Sequence, residues 1–172
     1  MMPFSAWLRS PRAPFVLVFS AGLGLFGGGV AMGALLRLAA CPLCIIQRML
    51  YLSLGLAALV GLAVARHPLG RRLAALAMAL VAATGAFVAG YQTWIQRFAR
   101  DVQCAGEAAW WELLVDRAGE SLPLLFQASG LCSDPAWKFL GLSIAEWSLA
   151  IFAALCAFSL RLLCRRQPRN SL

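Results

Sequence analysis

Four stretches of this chain are apolar for longer than a soluble fold of its size can accommodate. Residues 14–36 carry no charge, about 42–65 carry only Arg48, and 73–95 carry none. The fourth, about 143–163, opens with Glu146 and Trp147. Each is long enough to cross roughly 30 Å of hydrocarbon as a helix. In lipid a backbone must satisfy its own hydrogen bonds, which a helix does within one segment. With 62% hydrophobic and 13% charged residues among 172, a soluble domain could not bury what this chain exposes. The expected fold is an all-α membrane protein, a single domain over 1–172. It is a four-transmembrane-helix bundle with spans 14–36, 42–65, 73–95 and 143–163. A short extracytoplasmic loop lies at about 37–41, and a long one at about 96–142 lies between helices 3 and 4. Ala31 to Ala34 has the small residues of a signal cleavage site, but the apolar core before it is too long, so the first span is expected to be retained.

Charge gives the orientation. Arg9, Arg12, Arg66, Arg71, Arg72, Arg161, Arg165, Arg166 and Arg169 lie in the two termini and the turn between spans 2 and 3, with no acid among them. All seven acids lie between Asp101 and Glu146. The positive-inside rule then places both termini in the cytoplasm. The net charge of +8 is topological, and no basic cluster has the polar interleaving of a nucleic-acid groove. His67, before a proline in the basic turn, is expected to be a solvated loop residue. Gly24, Gly28, Gly29 and Gly33 are spaced to let helix backbones approach closely. In the long loop, Trp110, Trp111, Leu113, Leu114 and the run Leu122 to Phe126 sit among Glu107, Glu112, Asp116 and Glu120, as in an amphipathic segment lying on the bilayer.

Within this frame Cys41-Pro42-Leu43-Cys44 carries the chemistry. Pro42 suits the first helical position, which puts Cys41 at the N-cap and Cys44 in the first turn. The helix N-terminus favours thiolate over thiol, and Arg48, four residues on, shares a face with Cys44. The topology carries Cys41, Cys44, Cys104 and Cys132 to the oxidising side, and leaves Cys156 in the fourth span and Cys164 at its cytoplasmic end as packing thiols. Three uses of the four cysteines compete. Bridging Cys104 and Cys132 as a staple would contribute roughly 3 to 4 kcal/mol, whereas a CxxC bridge closes too small a loop to stabilise much. A tetrathiolate zinc site would want paired ligands from both arms. Redox exchange uses every feature: a poised thiol, an adjacent cation and a second cysteine pair on a loop. An arginine held deep costs on the order of 3 kcal/mol, so Arg48 points to an anion or carbonyl beside it, unless it snorkels to the head groups. No nucleotide-binding or haem-attachment motif is present, which makes a lipid-soluble quinone the natural electron acceptor.

The segment Cys41 to Arg48 resembles the CxxCxxxR segment of the DsbB family of disulfide bond formation proteins. Phe126-Gln127-Ala128-Ser129-Gly130-Leu131-Cys132, then Trp137-Lys138-Phe139-Leu140-Gly141-Leu142-Ser143 and Trp147, resembles that family's second-loop signature, and the likeness covers about residues 10 to 165. The resemblance implies a bacterial inner-membrane enzyme that reoxidises a DsbA-like periplasmic thiol oxidase and passes the electrons to ubiquinone or menaquinone. It implies a Cys104–Cys132 disulfide attacked by the partner, with a mixed disulfide through Cys104. Cys132 then exchanges with Cys41, and Cys44 donates to a quinone whose charge Arg48 stabilises. Two places depart from the family pattern: Gln47 where an acid is frequent, and Tyr91-Gln92 in the region, near the extracytoplasmic end of the third span, where a histidine is frequent. Gln92 could still donate a hydrogen bond to a quinone carbonyl, but not a proton at neutral pH. The alternatives are a vitamin-K-epoxide-reductase-like quinone oxidoreductase, whose CxxC normally comes late in the bundle, and a non-enzymatic scaffold with structural disulfides or zinc.

Overall fold

The computed structural model describes residues 10–98, 110–126, 128, 130–135 and 137–164. Its elements are α1 (Ala13–Leu35), α2 (Pro42–Ala63), α3 (Pro68–Phe98), α4 (Trp110–Ser121), α5 (Pro123–Phe126), β1 (Lys138–Phe139), β2 (Leu142–Ser143) and α6 (Ile144–Cys164). The helices α1, α2, α3 and α6 are each long and apolar enough to cross a membrane. The chain is thus a multi-pass, four-helix membrane bundle. Leu56, Val60, Leu80 and Phe87 face outward from it, as lipid contact requires.

Helix α3 begins at Pro68, ahead of the expected Leu73. Pro68 sets the first helical φ, and the Arg71 N–H donates to the His67 carbonyl at 3.0 Å, so Arg71 and Arg72 join the helix. At the other end it continues past Ile95 to Phe98. Its 31 residues make a rod of about 46 Å, longer than the hydrocarbon slab, and carry Gln96 and Arg97 beyond it.

Helix pairs α3–α6, α1–α2 and α2–α3 form the bundle. At one end the core is Phe15, Val18, Leu54, Ala58, Met78 and Ala82. Midway, the Tyr51 and Phe152 rings stack with centroids 4.1 Å apart. Backbones of α1 and α2 touch at Gly22, where a Cβ would come within 2.8 Å of the Tyr51 carbonyl oxygen. The four glycines expected to make such contacts do not. Gly24 and Gly28 have nothing within 4 Å of a Cβ position, while Gly29 and Gly33 lie against the Arg48 side chain.

A feature absent from the expected fold is a hairpin leading into α6. Lys138 pairs with Ser143 and Phe139 with Leu142 across the turn Leu140-Gly141, both at positive φ as a type I′ turn demands. The start of α6 is capped reciprocally. The Glu146 N–H donates to Ser143 Oγ, and the Ser143 N–H donates to Glu146 Oε2 at 2.7 Å. Arg97 of α3 also pairs with Glu146, tying two helix ends together. In α4, Leu113 and Leu114 are exposed while Val115 is buried.

Candidate functional site

The site starts at the N-terminus of α2. Cys41 is the N-cap, with extended backbone (φ −86°, ψ 162°), and Pro42 occupies the first turn. The Cys44 N–H donates to Cys41 Sγ at 3.4 Å, so a sulfur replaces the usual capping oxygen. This curls the two side chains together: the Cys41 thiol donates to Cys44 Sγ at 3.1 Å. The motif is thereby held in the shape a disulfide between its own cysteines would need little movement to adopt.

Gln92 of α3 reaches across to this pair and is 2% exposed. Its Nε2 donates to Cys41 Sγ at 3.3 Å and to Cys44 Sγ at 3.2 Å. Gln47 Nε2, one turn below Cys44, donates to Gln92 Oε1 at 2.7 Å. That bond fixes which way the Gln92 amide points, because its oxygen is taken and only its NH2 can face the sulfurs. Gln92 was expected to reach a quinone carbonyl. In this structure its donor hydrogens meet the two sulfurs. Gln47 stood out in the sequence only as a departure from a pattern, and its function as the orienting partner of Gln92 depends on helix α3 being adjacent.

The chain segment before α6 brings the third sulfur. Cys132 packs against Cys41 and Leu43, almost entirely buried. The Gly130 N–H donates to the Ala40 carbonyl at 3.1 Å, and a Cβ on Gly130 would lie 2.3 Å from the Ala39 carbonyl oxygen. Only glycine allows the two segments to touch there. Hydrogen bonding with Cys132, then with Cys44, and then burial raise the pKa of Cys41, which sits just ahead of the span, far above the ordinary thiol range. Cys41 therefore holds its proton. Cys104, and Gln127 and Ser129 of the loop signature, lie outside the described residues. Cys156 donates to the Ala79 carbonyl at 3.7 Å, within the bundle, and Cys164 is exposed at its far end; neither approaches the other three sulfurs.

Beside Cys44 a cavity of about 320 Å³ opens between α1, α2 and α6. Cys44, Gln47, Arg48 and Tyr51 form its α2 wall, Gly24 and Gly28 its α1 wall, and Trp137, Phe139 and Trp147 its roof. The hairpin holds the roof. Trp147 Nε1 donates to the Phe139 carbonyl at 3.1 Å, and the Trp137 and Phe139 rings stack at 5.7 Å. Arg48 lies across α1, with Nη2 3.1 Å from a Cβ position at Gly33 and Nε 3.3 Å from one at Gly29. Those glycines make the trough that keeps the guanidinium inside the bundle. Among the described residues Arg48 has no carboxylate partner, since Arg97–Glu146 is the ion pair present. A cation without a counter-ion, next to a sulfur and an apolar cavity, suits a ligand bearing oxygen or negative charge. Among the described residues no three potential ligands are arranged to hold a metal ion.

The family model described as disulfide bond formation protein DsbB matches residues 11–162. A disulfide bond formation protein B from Dechloromonas aromatica is 40% identical over 160 residues, covering 90% of this chain and 93% of the relative. The protein of that name from Nitrosospira multiformis is 33% identical over 174 residues, covering 95% and 97%. That from Aromatoleum aromaticum is 34% identical over 158 residues, covering 92% and 95%.

Proposed function

Because the chain belongs to the DsbB family of disulfide bond formation proteins, whose role is thiol oxidation, we propose that it reoxidises a DsbA-like periplasmic dithiol oxidase and delivers the electrons to a membrane quinone. The observation that carries this reading is the position of Cys132 against Cys41, with Cys44 between that contact and the Arg48 cavity. Both termini then lie in the cytoplasm, and the sulfur cluster lies at the periplasmic lip.

The cavity fits a quinone head. Its lining is largely glycine, aliphatic and aromatic, its size suits one substituted ring, and its cation stands next to the sulfur. Arg48 would hold a ring oxygen, and the Trp137, Phe139 and Trp147 roof would cover the ring and exclude water. A bound quinone supplies an acceptor for two electrons and two protons.

The steps in the chain's own sulfurs balance. A partner thiolate attacks the Cys104–Cys132 disulfide at Cys104, forming a mixed disulfide and releasing Cys132. The partner's second thiolate closes its own disulfide and frees Cys104. Cys132 attacks Cys41 within a Cys41–Cys44 disulfide: the 41–132 bond forms, the 41–44 bond breaks, and Cys44 leaves as thiolate. Cys104 then attacks Cys132, restoring the 104–132 bond and releasing Cys41, which leaves two electrons and two protons, available to a quinone, on Cys41 and the already departed Cys44. The donated Gln92 hydrogens, the helix N-terminus and Arg48 all stabilise negative charge at that sulfur. Gln92 thus acts on the dithiol, oriented by Gln47.

Anaerobic mixing of the purified protein with reduced DsbA and ubiquinone, followed by quinone absorbance, tests the scheme. One quinone should be reduced for each partner disulfide formed. Absorbance that stays constant while the partner remains reduced would refute it.

A further inference from the structure

Tyr51 is one turn below Arg48 on α2 and only 5% exposed. Its ring lies flat on Phe152 of α6, with an interplanar angle of 4°, so the hydroxyl is held in one place. That oxygen is buried and completes no hydrogen bond of good geometry among the described residues. Ser148, 7% exposed, is the polar side chain near it. Both residues line the cavity that Cys44 and Arg48 also line. A phenylalanine would stack on Phe152 equally well, and a buried hydroxyl without a partner costs folding free energy. Ring packing explains the aromatic side chain but not its oxygen.

We infer that Tyr51, with Ser148 beside it, is a second polar anchor of the cavity, donating a hydrogen bond to the quinone oxygen that faces away from Cys44. This rests on the reading that the cavity takes a quinone. Residues 44, 48 and 51 follow each other at helical spacing, so they form one stripe on α2. Three residues along a helix advance about 4.5 Å, so Arg48 and Tyr51 can serve the two opposite oxygens of one ring. The anchor is uncharged, which suits a carbonyl or hydroxyl in an apolar setting. The ligand class is therefore a ring with two para oxygens, and each oxygen finds a donor where water is excluded.

Tyr51→Phe removes the oxygen and keeps the stack. With a short-chain ubiquinone as probe, Kd from quenching of tryptophan fluorescence and KM from steady-state turnover should both rise about tenfold, equivalent to about 1.4 kcal/mol. The thermal midpoint without quinone should stay the same or rise, because a buried hydroxyl that completes no hydrogen bond of good geometry has gone. A fall in that midpoint with unchanged Kd would make the hydroxyl structural and overturn the proposal. Unchanged Kd and KM with an unchanged midpoint would overturn it too, while leaving the quinone reading intact. Failure of the wild-type protein to bind ubiquinone would sink the quinone reading itself. The wild-type protein supplies an independent arm, in which a phenol with the same substituents but one ring oxygen should compete about tenfold more weakly than the quinone. Equal competition would overturn the proposal.

Discussion

Around Phe15, Leu54 and Met78 the helices interlock, and a Cβ on Gly61 would come within 2.4 Å of the Phe15 ring. Around Cys44 and Arg48 they are held apart: Gly24 and Gly28 face open space, and a hairpin roofs the gap. The two ends use nearly the same apolar residues, so composition does not separate them. What separates them is what each glycine meets. At the packed end small residues admit a neighbouring ring. At the cysteine end they admit a guanidinium or leave volume for a ligand. One end thus fills its volume with side chains, while the other keeps its volume open.

Substitutions at the two ends should therefore differ in kind. The largest effect belongs to Cys44→Ser, which should lower quinone reduction by at least on the order of 10³-fold in a stopped-flow assay, since among the described residues no other cysteine lines the cavity. Turnover near the wild-type rate would erase the functional distinction between the ends. Gly130→Ala comes next. Its new methyl would collide with the Ala39 carbonyl and shift Cys132 away from Cys41. A displacement of that size slows a positioned reaction by on the order of 10²-fold, measurable as the rate at which a 41–132 disulfide is trapped. Arg48→Ala should raise the KM for ubiquinone about ten- to a hundredfold, the worth of one charge-assisted hydrogen bond. An unchanged KM would remove Arg48 from the quinone site. The smallest effect on turnover belongs to Met78→Ala at the packed end. It should cost about 2 kcal/mol of stability in thermal unfolding and leave that KM where it was. A KM that rises with it would show that the ends are less independent than their packing suggests.

Much of this fold is legible in the sequence because its causes are local. A run without charge sets a span, and Cys-Pro-x-Cys at the start of such a run sets an N-cap. Hence the four-helix bundle and the curled Cys41–Cys44 pair follow from residues near each other in the chain. The Gln47–Gln92 bond joins side chains 45 positions apart and depends on how α2 faces α3. The functions of Gly29 and Gly33 were obscured because small residues serve backbone contact and side-chain troughs equally well. Tyr51 left a fainter signal: it continues the stripe of Cys44 and Arg48, and a polar tip on an inward-facing stripe is worth notice. The hairpin before α6 was also present in outline, as Leu140-Gly141 between apolar residues, but strands this short have no periodicity to read.

The amide pair beside the sulfurs has a consequence for where such a protein can work. Neither Gln47 nor Gln92 gains or loses a proton over the range in which proteins stay folded, so their pattern of donors and acceptors is the same in acid and in alkali. An envelope compartment takes on the acidity of the medium outside the cell. On the periplasmic placement proposed above, the hydrogen bonds supporting this dithiol would keep their sense through such swings, and the sulfurs alone would register them.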